Sequence, residues 1–158
     1  MSKKDLNIDG YFGVGIECPK TWTNYGTLYR TARILGADFV FLINKKFKKS
    51  RSDTQKTWRS VPTYSYRDFD HFYDNLPFSC VLVGVEMMDS AVYIEDFRHP
   101  QRAIYLLGAE DHGLSRKAKE QCHKLVKLRG EHSLNVAVAG SIVLYDRFVK
   151  SNHSMVLP

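Results

Sequence analysis

The sequence predicts an α/β domain on a mainly parallel sheet, and three observations carry that expectation. Short apolar runs at Tyr11–Glu17, 38–43, 80–85 and Arg102–Leu107 alternate along the chain with stretches of helical periodicity. The runs at 38–43 and 80–85 are apolar almost throughout, as strands covered on both faces are. Glycine-bearing or polar loops follow the apolar runs, and in such folds ligands gather at the carboxyl ends of the strands.

Taken in order, residues 1–10 are polar and read as a flexible N-terminus. In Tyr11–Glu17, Phe12, Val14 and Ile16 alternate with small or polar residues, which is a strand pattern. Gly13 and Gly15 fall inside that strand and no third glycine follows, so a dinucleotide fingerprint is disfavoured, and a nicotinamide dehydrogenase with it. A loop then runs into a helix with Leu28, Ala32 and Leu35 on one face, ended by Gly36. Arg30 lies about 200° round that helix from Leu28 and points away from the core.

After the strand at 38–43, residues 44–59 hold Lys45, Lys46, Lys48, Lys49, Arg51, Lys56 and Arg59 against the single acid Asp53, with Phe47 and Trp58 among them. Cations interleaved with aromatics suit phosphate contacts and base stacking, and they equally suit a solvated loop. Residues 61–66 contain Pro62 and fit only an edge strand. Phe69, Phe72, Tyr73 and Leu76 form a helical stripe stopped before Pro77. Ser115 caps a short basic helix through Gln121, and Leu125, Val126 and Leu128 make a last strand. Ser133 or Asn135 caps a final helix that stays apolar or small as far as Tyr145. A helix apolar all round has to be buried on all sides, and in a domain this small that asks for a second subunit.

The chain has 158 residues, enough for one core, and reads as a single domain over 11–150 with a flexible tail at 151–158. The formal charge of +6 favours a polyanionic partner such as nucleic acid, although surplus charge also simply keeps a protein soluble. No run is long enough for a transmembrane helix or a signal peptide, so no membrane partner and a cytoplasmic location are expected. Cys18, Cys80 and Cys122 are odd in number and widely spaced, which fits buried reduced thiols and no metal site.

Three separated stretches resemble one family. Asn24-Tyr25-Gly26-Thr27-Leu28-Tyr29-Arg30-Thr31-Ala32, Leu107-Gly108-Ala109-Glu110-Asp111-His112-Gly113-Leu114 and Ser133-Leu134-Asn135-Val136 are similar, in this order, to the motifs of the SpoU/TrmH-type SPOUT RNA 2′-O-ribose methyltransferases. The resemblance spans Tyr11 to Phe148 and implies a SPOUT fold whose C-terminal part forms a trefoil knot. It implies S-adenosylmethionine as methyl donor, held at Leu107, Gly108, Glu110, Gly113, Leu128, Ser133 and Leu134. It implies Arg30, Asn24, Glu110, Ser133 and Asn135 as the catalytic set, no metal, and a homodimer in which Arg30 serves the partner's site.

The segment Leu128-Arg129-Gly130-Glu131-His132 departs from the Pro-Met pair of many relatives. The resemblance implies RNA as the partner, tRNA favoured and rRNA possible, with Arg33, Lys45, Lys46, Lys48, Lys49 and Arg51 as the candidate RNA-binding surface. The alternatives are a base methyltransferase of the same superfamily and an RNA-binding or assembly factor that kept the fold without turnover. The Asn24 and Arg30 pair argues against the first, and the retained set of polar residues against the second.

Overall fold

The computed structural model describes residues 10–46 and 60–153, with the side chains of Asn152 and His153 excepted. Strands β1 (Tyr11–Glu17), β2 (Phe39–Ile43), β3 (Thr63–Tyr66), β4 (Val81–Val85), β5 (Val92–Tyr93), β6 (Arg102–Leu107) and β7 (Lys124–Lys127) form one sheet in the order β3-β2-β1-β6-β4-β7-β5. Every pairing is parallel, as the sequence predicts. Helices α1 (Trp22–Ile34), α2 (Phe69–Asp74), α3 (Arg116–Gln121) and α4 (Val136–His153) cover the two faces. β3 is an edge strand, as Pro62 requires. The other edge, β5, is the one strand that periodicity missed.

Side-chain alternation splits the core in two. Val14, Ile16, Val40, Leu42, Tyr105 and Leu107 join Leu28 and Ala32 of α1 and Val143 and Leu144 of α4 on one face. Phe41, Ile43, Leu82, Ile104 and Leu106 pack on Phe69, Phe72, Leu114 and Ala118 on the other, with Phe41 stacked on Phe72 at 4.7 Å. Gly13 and Gly15 belong to that second face, where a Cβ on either would run into the rings of Phe39 and Phe41. Aromatic packing, not phosphate binding, therefore accounts for the two glycines.

Polar anchors fix the remaining joints. Asp68 and Ser115 cap α2 and α3, each accepting from a backbone N–H three residues on. Near the C-terminal half of α4, Arg147 donates to the carbonyls of Pro100 (2.6 Å) and Gln101 (3.0 Å) and to the Tyr105 hydroxyl (3.1 Å). His99 bridges Tyr105 (2.6 Å) and Asp146 (2.8 Å), and Lys150 pairs with Asp146 while donating to the carbonyls of Ile94 and Phe97. Burial pushes His99 below its ordinary 6.5 despite the pull of Asp146. Burial likewise pushes the Tyr105 hydroxyl up to about 12, although Arg147 opposes it.

One expectation is corrected. Cys18 is exposed and only Cys80 and Cys122 are half-buried, because Cys18 lies just past the end of β1, where the chain turns with φ 52°. All three thiols are free, and burial with the nearby Glu17 charge pushes Cys122 up to about 12. Within the protomer α4 is covered on one side: Val138, Ile142 and Tyr145 stand exposed while Ala137, Val143 and Leu144 are buried. Only one face of the helix meets the sheet and α1. No described helix is long and apolar enough to cross a membrane.

Candidate active site

Because all strands run the same way, the loops after β1, β2, β4, β6 and β7 emerge side by side. Register brings their ends level, with Glu17 beside Ile43, Ile16 and Val85 both beside Leu107, and Val85 beside Val126. Between the loops after β4, β6 and β7 lies a cavity of about 310 Å³. Its walls come from residues 85–87, 107–113, 127–129 and 132–134, closed by Val136 and Ala139 at the start of α4. All the residues expected to hold a cofactor (Leu107, Gly108, Glu110, Gly113, Leu128, Ser133 and Leu134) line it.

The shape of this cavity is set by backbone. Ala109 and Gly113 exchange two hydrogen bonds (3.1 and 2.9 Å), which folds the loop back on itself. A side chain at Gly108 would collide with the backbone of Gly113 and Leu114, and Gly113 itself sits at φ 65°. Glu86, at the end of β4, accepts from the N–H of Leu114 at 2.7 Å and so pins the far side of the loop. Glu17, buried at the end of β1, accepts from both the N–H and the hydroxyl of Ser115 (2.8 and 2.7 Å). Sequence reading missed both acids. Their signal was a carboxylate placed directly after an apolar strand, a position that burial tolerates only when hydrogen bonds satisfy it.

At the cavity mouth three of the expected catalytic residues meet. Asn24 on α1 donates to Glu110 at 2.6 Å, and Asn135 donates to the Asn24 carbonyl oxygen at 2.9 Å. The Asn135 side-chain oxygen caps α4, accepting from the N–H groups of Ala137 (2.9 Å) and Val138 (3.3 Å). The N–H of Lys20 donates to the other Glu110 oxygen at 3.2 Å, and the Thr21 hydroxyl approaches the carboxylate at 3.5 Å. Burial pulls Glu110 upward, but hydrogen bonds from Asn24 and from the backbone of Glu110, Lys20 and Thr21 outweigh it and hold the carboxyl below its ordinary value. Asp111 is held low mainly by Lys20, with which it forms an ion pair, and it also meets His112 at 2.9 Å.

Ser133 lines the cavity without joining this network, and Arg30 stands apart from it, exposed on α1 and hydrogen-bonded to none of the other four. Of the expected RNA-binding residues, Arg33 and Lys46 are exposed, whereas Lys45 is half-buried against the loop after β1. Lys48, Lys49 and Arg51 lie outside the described residues. Among the described residues no group of three or more His, Cys, Asp or Glu side chains is arranged to hold a metal ion.

The sequence profile of the SpoU rRNA Methylase family matches residues 12–145. The chain belongs to that family. Among solved structures, this SpoU-family chain is similar to the SpoU methyltransferase AviRb from Streptomyces viridochromogenes, with a TM-score of 0.82 at 22% identity, over 97% of this chain and 65% of AviRb. It is similar to the TrmH/SpoU tRNA modifying enzyme of A. aeolicus, with a TM-score of 0.81 at 19% identity, over 91% of this chain and 77% of that one. A third structure, described as giving insights into the 2-OH methylation of C/U34 on tRNA, has a TM-score of 0.76 at 20% identity over 92% of this chain and 98% of its own. These likenesses establish the fold, and the chain spans about two thirds of AviRb's length. No curated protein matches the chain.

Proposed function

We propose that the protein transfers a methyl group from S-adenosylmethionine to a ribose 2′-hydroxyl of RNA, most readily of tRNA. The observation that carries this reading is the Asn135–Asn24–Glu110 chain of hydrogen bonds at the mouth of a loop-walled cavity. The cavity suits the cofactor: its volume, about 310 Å³, is within the small-molecule range. Leu107, Leu128, Leu134 and Val136 give apolar walls for a nucleoside, while Glu86, Glu110 and Asp111 favour a cationic ligand. AviRb has been solved with AdoMet bound, which supports the same assignment. When bound, the cofactor supplies an electrophilic methyl group on a sulfonium, so no metal is needed to activate it.

The chain's own residues then position the acceptor. Asn24, polarised by Glu110, orients the target ribose. Arg30 keeps its proton, because a guanidinium pKa lies far above neutrality, and stabilises charge at the phosphate and the ribose oxygen instead of acting as base; as the ribose oxygen takes the methyl group and the neutral thioether departs, the 2′-hydroxyl proton passes to a phosphate oxygen or to water. Arg30 and Asn24 are six residues apart on α1, about 240° round the helix, so one protomer does not aim both at a single acceptor. A homodimer removes the difficulty, with Arg30 of the partner subunit completing the site. The exposed stripe of Val138, Ile142 and Tyr145 on α4, beside Ile34 at 72% exposure on α1, supports that pairing.

Arg33, Lys46 and the basic segment beyond supply phosphate contacts, with the domain over 11–150 threaded in the family's trefoil knot and working in the cytoplasm. The tRNA preference rests on the near-complete overlap with the structure described for C/U34 methylation. Incubation with labelled S-adenosylmethionine and unmodified tRNA or rRNA, followed by nucleoside mass spectrometry, tests the proposal. A 2′-O-methylated nucleoside that disappears with Arg30→Ala is the expected result. A base-methylated product overturns the ribose assignment, and cofactor binding with no product on any RNA favours the assembly-factor reading.

A further inference from the structure

Lys45 was expected on the RNA-binding surface, but its ammonium is already committed. Nζ donates to the carbonyl oxygens of Pro19 (2.8 Å) and Lys20 (2.9 Å) and lies 4.6 Å from the centre of the Trp22 ring. An ammonium has three donors, and two carbonyls and a ring face occupy the directions it can use. The two carbonyls belong to the consecutive peptide groups whose nitrogens are those of Lys20 and Thr21. The Lys20 N–H of the first group donates to Glu110 at 3.2 Å, and the Thr21 hydroxyl approaches the same carboxylate at 3.5 Å. A cation at a peptide oxygen polarises the N–H at the other end and strengthens its hydrogen bond.

The loop needs such a clamp. Cys18 and Asn44, each just past a strand end, both take left-handed backbone (φ 52° and 61°), and Asn44 reaches back to the Cys18 sulfur at 3.1 Å. Asn takes that conformation more readily than most residues, whereas Cys18 pays for it and relies on its surroundings to hold it. The loop so fixed leads through the Thr21 cap of α1 directly to Asn24.

We infer that Lys45 is a positioning residue of the active site: from the end of β2 it holds residues 19–21 so that the Lys20 N–H and the Thr21 hydroxyl face Glu110 and Asn24 stays in register. The inference rests on the proposed methyl transfer for its kinetic readout only. Besides Lys45 itself, the charged and titratable groups around Glu110 are Lys20 from the clamped loop, Asp111 and His112 from Glu110's own loop, and Glu86, Lys127, Arg129 and His132 from the other walls of the cavity.

The test compares wild type with Lys45→Met and the milder Lys45→Gln, which keeps two N–H donors but no charge, and takes Lys46→Met as the phosphate-contact reference. Amide hydrogen exchange at Lys20 and Thr21, measured without RNA or cofactor, should speed up in Lys45→Met and less in Lys45→Gln. At saturating RNA and S-adenosylmethionine the methyl-transfer rate should fall about tenfold to a hundredfold, as misplacement of supporting groups does. The acidic limb of its pH profile should move upward, while the slope of log RNA affinity against log salt stays at the wild-type value. Lys46→Met should flatten that slope.

Wild-type exchange at Lys20 and Thr21 in both Lys45 variants overturns the inference, and so does a flattened salt slope with the rate and pH profile unchanged. If wild type transfers no methyl group, the proposed function fails separately, and the exchange measurement still decides the role of Lys45.

Discussion

The two ends of α4 are both tied to the sheet by polar side chains, but they are tied differently. At the N-terminal end Asn135, Asn24 and Glu110 form a chain drawn from three loops or helix starts, at the solvent-facing mouth of a cavity. Further along, Arg147, His99, Tyr105 and Asp146 form a mostly buried set, extended by Lys150, in which Arg147 keeps 6% of its surface and Tyr105 none. Buried polar groups have to be satisfied internally, and the contacts of this set serve the fold. The first leaves donors and acceptors at the surface, where a substrate can take part. Solvent access is what separates scaffold from chemistry here, since the hydrogen-bond lengths of the two sets overlap.

That contrast is sharpened or broken by variants at each end. Arg30→Ala should lower methyl transfer by about 10²–10³, the usual cost of removing a group that stabilises transition-state charge, with S-adenosylmethionine affinity retained. Loss of dimerisation in its place would remove Arg30 from the chemistry. Arg147→Met should cost about 1–3 kcal/mol in urea unfolding, because the Pro100 and Gln101 carbonyls and the Tyr105 hydroxyl lose their donor. Asn24→Ala should lower kcat about tenfold while shifting the urea midpoint far less than Arg147→Met does, since an exposed hydrogen bond adds only about 0.5–1.5 kcal/mol to stability. Equal stability losses at the two ends would erase the distinction.

The smaller effects concern pH. His99 binds its proton more weakly folded than unfolded, so between its lowered folded value and 6.5 the unfolded chain carries more protons. Stability from this group is complete above 6.5 and declines as pH falls below it. Urea midpoints taken from pH 7.5 down to 5.5 should show that decline in wild type and lose it in His99→Gln. Glu110 shows the ordinary carboxylate sense: its depressed value keeps it ionised until pH falls below the usual carboxylate range, where the hydrogen bond from Asn24 weakens.

Much of this was readable in the residues. The bounds of β1, β6 and α3, the parallel sheet, the Ser115 cap and the outward Arg30 follow from periodicity, composition and capping chemistry. All the expected cofactor residues surround one cavity because the strand ends that deliver them are level. The rest depends on contacts distant in sequence, which no local pattern encodes. β5 is two residues long, too short to show alternation, and exists because β7 offers it an edge. Lys45 sits in a basic run that looks like an RNA surface, and only the fold brings the Pro19 and Lys20 carbonyls within reach of it, 26 and 25 residues away. Cys18 was misjudged because its exposure follows from the turn at the end of β1, not from its apolar neighbours.

Asn135 bears on how this chain can change over generations. Its carbonyl oxygen starts α4 and its amide nitrogen holds Asn24. Asp would begin the helix equally well, but it has no N–H for Asn24 and would set a second negative charge near Glu110. Ser would cap too, but it is too short to serve both partners, and Gln is a poor cap. A position that must start a helix and hold Asn24 through opposite ends of one amide leaves few residue types able to replace it.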